Sequence, residues 1–135
     1  MAVAARPIEV LVADDELVAR QLLSCYLESF GCSVEAVCDG QQALHAYWDR
    51  LGRIGLVILD ALMPGPSPIQ LYQCIRAISP SVPVLFCSGV SSDDPVIRAI
   101  NEYGLRLLRK PFSRSDLHTV VRNVLNTAGA DAPAP

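Results

Sequence analysis

Apolar residues along this chain follow two alternating patterns. Short apolar or strictly alternating runs occur at Ile8–Ala13, Cys32–Cys38, Leu56–Asp60, Val82–Cys87 and Arg106–Arg109. Runs of this length, rich in β-branched residues and bounded by turn signals, predict strands. Between them the spacing changes to three and four residues, which predicts helices. Leu22, Leu23, Tyr26, Leu27 and Phe30 share the first helical face, and Gly31 stands where a helix-terminating glycine belongs. Ala43, Leu44, Tyr47, Trp48 and Leu51 make the second, closed by Gly52. Leu71, Cys74, Ile75 and Ile78 make the third, ending at Ser79-Pro80. Asp93, Asp94 and Pro95 open the fourth, with Val96, Ile97, Ile100 and Tyr103 expected inward and Gly104 as its stop. Ser113 starts the last helix with Asp116 as a capping-box partner. Leu117, Val120, Val121, Val124 and Leu125 form its buried face.

Strands alternating with helices predict an α/β fold, a parallel sheet covered on both faces and joined by right-handed crossovers. The run Leu56–Asp60 is continuous rather than alternating, so it is expected to be buried on both faces, with Gly55 at its boundary. Cys32–Cys38 alternates and belongs at a sheet edge. From Ala128 the periodicity stops. Residues 1–127 are therefore read as one domain, and residues 128–135 as a flexible tail or the start of a linker.

Composition adds mostly exclusions. The 135 residues are 51% hydrophobic and 19% charged, enough for a packed core in one domain. A net charge of −3 gives no electrostatic case for nucleic acid or an anionic membrane as partner. No apolar run reaches membrane-spanning length, and Arg6, Pro7 and Glu9 interrupt any signal-peptide core. A cytoplasmic location is expected. Cys25, Cys32, Cys38, Cys74 and Cys87 are odd in number and lack C-x-x-C spacing, so they are read as small buried hydrophobes rather than ligands or a disulfide framework.

Chemistry gathers at the strand ends. In a parallel sheet every carboxyl end lies on one edge, where open α/β sheets place their sites. The first strand delivers Asp14 and Asp15, the third Asp60, the fourth Ser88 and the fifth Lys110; the second delivers only the turn Asp39-Gly40. Taken singly, Asp14 and Asp15 could be helix caps, Asp60 a loop cap, Ser88 a turn residue and Lys110-Pro111 a strand exit. Together they are hard to read that way. Two carboxylates roughly 5 Å apart repel by about 3 kcal/mol at an effective dielectric near 20, so such a group calls for a cation. Oxygen ligands select a hard one, Mg²⁺ foremost. Lys110 is also the chain's single lysine among eleven basic residues, a compact point charge suited to a phosphoryl or carboxylate oxygen.

These motifs, ADDE after strand one, LVILDALMPG around Asp60, CSG at strand four and LLRKPF at strand five, resemble the receiver domains of two-component response regulators. The resemblance spans residues 8 to about 127. It implies a flavodoxin-like three-layer αβα fold with strand order 2-1-3-4-5, for which a member of this family is a standing example. It implies Asp60 as phosphoacceptor, charged by a histidine kinase or phosphotransfer protein. Asp15, Asp60 and the backbone carbonyl of Leu62 would hold Mg²⁺ (or Mn²⁺ in its place), with Asp14 acting mostly through water. Lys110 and Ser88 would contact the phosphoryl oxygens. The resemblance further implies a shift of the helix 4/strand 5/helix 5 surface, acting on a downstream protein or a C-terminal output domain. That same face would serve a homodimer. Gly89, Val90, Leu107 and Pro111 would line the switch and its loops.

Departures from the family pattern are specific. Leu107 stands where a Tyr or Phe usually does, three residues before the lysine. Pro68 replaces a common glycine, and with Pro64 and Pro66 it should stiffen the loop. Gly104 lies one residue nearer the lysine than usual, which predicts a shorter loop. Leu62 and Val90 occupy flanking positions that often carry polar side chains. Apolar groups there cannot orient an attacking water, so slow self-dephosphorylation is expected. A receiver promotes only its own phosphorylation and dephosphorylation and is not otherwise an enzyme. Three alternatives remain: a Mg²⁺-dependent aspartate-nucleophile phosphatase, which would want D-x-D at strand one; a nucleotide or flavin binder, which would want a Gly/Ser/Thr-rich first loop; and a degenerate pseudo-receiver acting only as an interaction module.

Overall fold

The computed structural model describes residues 7–89, 91 and 93–130, with only the backbone described for 127–130. Five strands, β1 (Glu9–Ala13), β2 (Ser33–Val37), β3 (Ile54–Asp60), β4 (Val84–Ser88) and β5 (Arg106–Arg109), alternate with five helices. These are α1 (Leu17–Ser29), α2 (Gly40–Asp49), α3 (Pro68–Ile78), α4 (Pro95–Glu102) and α5 (Arg114–Ala130). All pairings are parallel and the order is β2-β1-β3-β4-β5, the flavodoxin-like arrangement.

Strand parity sorts the core into two layers. Leu11, Val57, Leu59 and Phe86 pack with Ala43 and Tyr47 of α2, Leu71 and Ile75 of α3, and Ile97 and Ile100 of α4. Val10, Val12, Leu56, Ile58, Leu85 and Leu108 face α1 and α5 through Leu23, Leu27, Leu117, Val121 and Val124. Successive β3 residues thus feed opposite layers, which is why that run is apolar without alternation.

Several helix ends are as the sequence suggests. Gly31 and Gly104 follow α1 and α4 with φ of 89° and 68°, a region that glycine enters without steric cost. The Ser113/Asp116 capping box is made in both directions at 3.0 Å. Pro68 is not a distortion: it sits at the first position of α3, where a missing N–H costs nothing, behind the cap residue Ser67.

Other expectations need correction. Gly55 lies inside β3 rather than at its boundary. A Cβ there would come within 3.0 Å of Ile8 Cγ2, so the residue is glycine for close approach and not for a turn. Asp39 and Gly40 are the cap and first residue of α2, with Asp39 accepting from Gln42 N at 2.8 Å. Trp48, Leu51, Leu22 and Tyr103 are exposed, Trp48 by 61%. Of the cysteines only Cys87 is buried; Cys25 and Cys74 are exposed, and Cys32 and Cys38 lie between. Apolar neighbours in sequence do not bury a residue on the outer side of a helix. The last helix runs on to Ala130, beyond the point where the tail was expected to begin, and residues 131–135 lie outside the described residues. Among the described residues no helix is long and apolar enough to cross a membrane.

Candidate functional site

Register brings the site together. Ala13 is level with Leu59, so Asp14 leaves β1 beside Asp60 at the end of β3. Asp60 is level with Cys87, and Ser88 with Arg109, which sets Ser88 and Lys110 next in line. Backbone bonds hold these exits: Ala61 N donates to Cys87 O at 2.8 Å, and Lys110 N donates to Ser88 O at 2.7 Å. Lys110 joins Pro111 through a cis peptide bond.

The side chains converge on an ion cluster. Lys110 Nζ lies 2.9 Å from Asp14 Oδ2 and 3.4 Å from Asp60 Oδ1. Asp14 is fully buried, Ser88 is 1% exposed and Asp60 7%, whereas Asp15 faces solvent. Oxygens of Asp14, Asp15 and Asp60 all lie within 4.8 Å of one another, so the three could hold a metal ion. The donors are all carboxylates, which fits a hard divalent cation and not a soft one. Neither Asp14 nor Asp15 caps α1; its cap position is Glu16, whose side chain makes no capping bond. Asp14 instead accepts from the Glu16 N–H and from Lys110.

Electrostatics in the pocket are opposed. Burial and then the neighbouring Asp14 carboxylate push the Asp60 carboxyl up to about 6, although Lys110 pulls the other way. For Lys110, burial alone would lower the ammonium, but its bonds and charge attraction to Asp14 and Asp60 win and hold it above its ordinary value. Burial pushes the Cys87 thiol up to about 12, so it stays a neutral core group beside Asp60. A bound cation would relieve the carboxylate repulsion that raises Asp60.

Of the remaining site candidates, Gly89 packs against Lys110: a Cβ on it would lie 3.7 Å from Lys110 Cβ, ordinary contact. Leu107 is half-buried in β5, level with Phe86 and packed on the layer that holds Ile97 and Ile100. The Leu62 side chain is exposed just past Asp60. Val90 lies outside the described residues. The sequence reading did not include Arg20, whose Nη1 donates to the main-chain carbonyl of Asp14 at 2.7 Å. Nor did it include Glu16, whose N–H donates to Asp14 Oδ1 at 3.0 Å. Both contacts involve main-chain atoms of the strand exit, which no side-chain pattern marks.

The response regulator receiver domain family model matches residues 10–122. The chain belongs to that family. Among relatives of this receiver domain, the transcriptional regulatory protein YrkP of Bacillus subtilis is 38% identical over 112 residues, 83% of this chain and 47% of YrkP. The transcription factor SKN7 of Saccharomyces cerevisiae is 30% identical over 112 residues, 83% of this chain and 18% of SKN7. The receiver domain therefore spans half or less of these relatives' length. A response regulator receiver domain from Clostridium thermocellum superposes with a TM-score of 0.81 at 28% identity, covering 91% of this chain and 98% of that one. Membership makes this a domain of two-component signalling, and its fold and strand order match those of its structural relatives.

Proposed function

We propose that Asp60 is the phosphoacceptor of this receiver and that a phosphohistidine of a histidine kinase or phosphotransfer protein is its donor. An Asp60 carboxylate oxygen attacks phosphorus, the P–N bond breaks, and its electron pair returns to the imidazole, leaving an acyl phosphate on Asp60. The carrying observation is the cluster in which one lysine ammonium bonds both Asp14 and Asp60 at adjacent strand ends. Little covalent work falls to the protein in phosphoryl transfer; positioning and charge neutralisation do most of it.

Asp15, Asp60 and the backbone carbonyl of Leu62 would hold Mg²⁺, with Asp14 acting mostly through water and Mn²⁺ able to replace the ion. When bound, the cation neutralises the phosphoryl oxygens. Lys110 supplies a second positive charge to those oxygens, and Ser88 a hydroxyl. The phosphoryl group replaces the single carboxylate charge of Asp60 with nearly two and adds three acceptor oxygens, which draw Ser88 and Lys110 inward. Lys110 and Leu107 share β5 and its exit, and Leu107 packs on the core layer to which Ile97 and Ile100 of α4 belong. This route biases the α4-β5-α5 surface, which acts on a partner, an output domain or a second copy. The domain turns over no separate substrate; it promotes only its own phosphorylation and dephosphorylation.

Incubation with a small-molecule phosphoryl donor and Mg²⁺, read by intact mass, tests this. The wild type should gain the mass of one phosphoryl group, lose that gain when Mg²⁺ is chelated, and Asp60→Asn should gain nothing. Equal gain in Asp60→Asn would refute Asp60 as acceptor.

A further inference from the structure

We infer that Arg20 is a positioning residue for the cation site, acting through the peptide unit that joins Asp14 to Asp15. The inference rests on the proposed role of these acids and adds a residue that the acidic motif does not contain. Its basis is the bonding of Asp14, which is complete on both backbone and side chain. Asp14 N donates to Val37 O at 3.1 Å, and Asp14 O accepts from Arg20 Nη1 at 2.7 Å. Oδ1 accepts from Glu16 N at 3.0 Å, and Oδ2 from Lys110 Nζ at 2.9 Å.

Two of these bonds bracket Asp15. The Asp14 carbonyl belongs to the peptide plane that precedes Asp15, and the Glu16 N–H to the plane that follows it. With both planes pinned, the backbone of Asp15 has little freedom, although its side chain is exposed. The direction of its carboxylate is then set in advance for a ligand. Arg20 stands in the first turn of α1, anchored by its own N–H to Glu16 O at 2.9 Å. A rigid element thus carries the guanidinium to the carbonyl. The bond is short and charge-assisted. Partners of this kind behind metal ligands commonly matter by 10–100-fold in affinity.

The sign of the effect separates positioning from simple charge. Arg20 is a cation beside a cation site, so removing its charge alone would tighten Mg²⁺ binding. Loss of positioning would weaken it.

Calorimetric titration of Mg²⁺ into the purified domain decides between them, with thermal unfolding recorded for each variant. Arg20→Met, which keeps the aliphatic stem but donates nothing, should bind Mg²⁺ about tenfold more weakly. Phosphorylation by a small-molecule donor should return toward wild type at saturating Mg²⁺. Arg20→Lys should recover most of the affinity. Arg20→Gln, polar and too short to reach the carbonyl in the same way, provides a second measure at this half-exposed position and should weaken binding too. Wild-type or tighter affinity in Arg20→Met and Arg20→Gln would overturn the inference while leaving the cation site intact. A wild type that binds no Mg²⁺, like an Asp15→Asn control, would overturn both the inference and the reading beneath it.

Discussion

Asp60 and Lys110 pull on each other's protonation, and burial opposes the charge on both. Its carboxyl titrates near 6 in the folded domain against an ordinary value of 3.8, so the folded state holds a proton that the unfolded chain has already released. Folding stability from this group is therefore full below about pH 4 and is lost as pH rises through 6. The shift corresponds to ~3 kcal/mol at 1.36 kcal/mol per pH unit. Metal-free Asp60→Asn should escape that loss. Its stability advantage over wild type, measured by denaturant unfolding, should grow from near zero at pH 4 toward ~3 kcal/mol at pH 7. A gap that stays constant with pH would contradict the account. Leu62 sets a kinetic expectation. An exposed apolar side chain just past the acceptor cannot orient water, so phosphoryl loss from the purified, Mg²⁺-bound domain should take minutes or longer. Loss within seconds would contradict this. Asp14, Asp60, Ser88 and Lys110 were all legible in the sequence because each stands at the end of a predicted strand. Arg20 was not, because its partner is a backbone carbonyl and no side-chain pattern marks such a contact.

Elements show a similar division. The α3 start was legible only as a proline-rich loop, yet it is a closed capping box: Ser67 Oγ accepts from Gln70 N, and Gln70 Oε1 accepts from Ser67 N, with Pro68 locked at the first helical position. Ser67→Ala should lower stability by about 1 kcal/mol, or ~4 °C in Tm, without changing the yield of phosphorylation. An unchanged Tm would mean that the box contributes nothing. Helical periodicity located all five helices but overestimated how much of each is covered. Leu22 and Trp48 fit the spacing and still face solvent, because a helix lying on a sheet buries only a narrow stripe, while Leu51 and Tyr103 lie past the last residues of α2 and α4 and are exposed there. Gly55 misled for a different reason. It serves the close passage of Ile8 within a continuous β3, a tertiary contact that no local signal carries.

At the scale of the whole molecule, alternation of strands and helices sufficed to predict the parallel sheet, and the sheet's single carboxyl edge sufficed to collect the site. Strand order came from the family resemblance, since apolar patterning alone does not rank neighbours. The fold then makes stability and ligation one quantity. A cation that binds only the folded acidic pocket should stabilise the domain by ~2.7 kcal/mol at a hundred times its dissociation constant. Thermal unfolding with and without Mg²⁺ should show that gain in wild type and not in Asp15→Asn. Equal gains in both would move the ion elsewhere. The most direct measurement concerns the acyl phosphate itself. Borohydride reduces an aspartyl phosphate to homoserine, which peptide mass mapping can place within the chain. After phosphorylation with Mg²⁺, the reduced domain should carry homoserine at position 60 alone. Homoserine at another acid, or phosphate retained on Ser88 with Asp60 unmodified, would contradict the account.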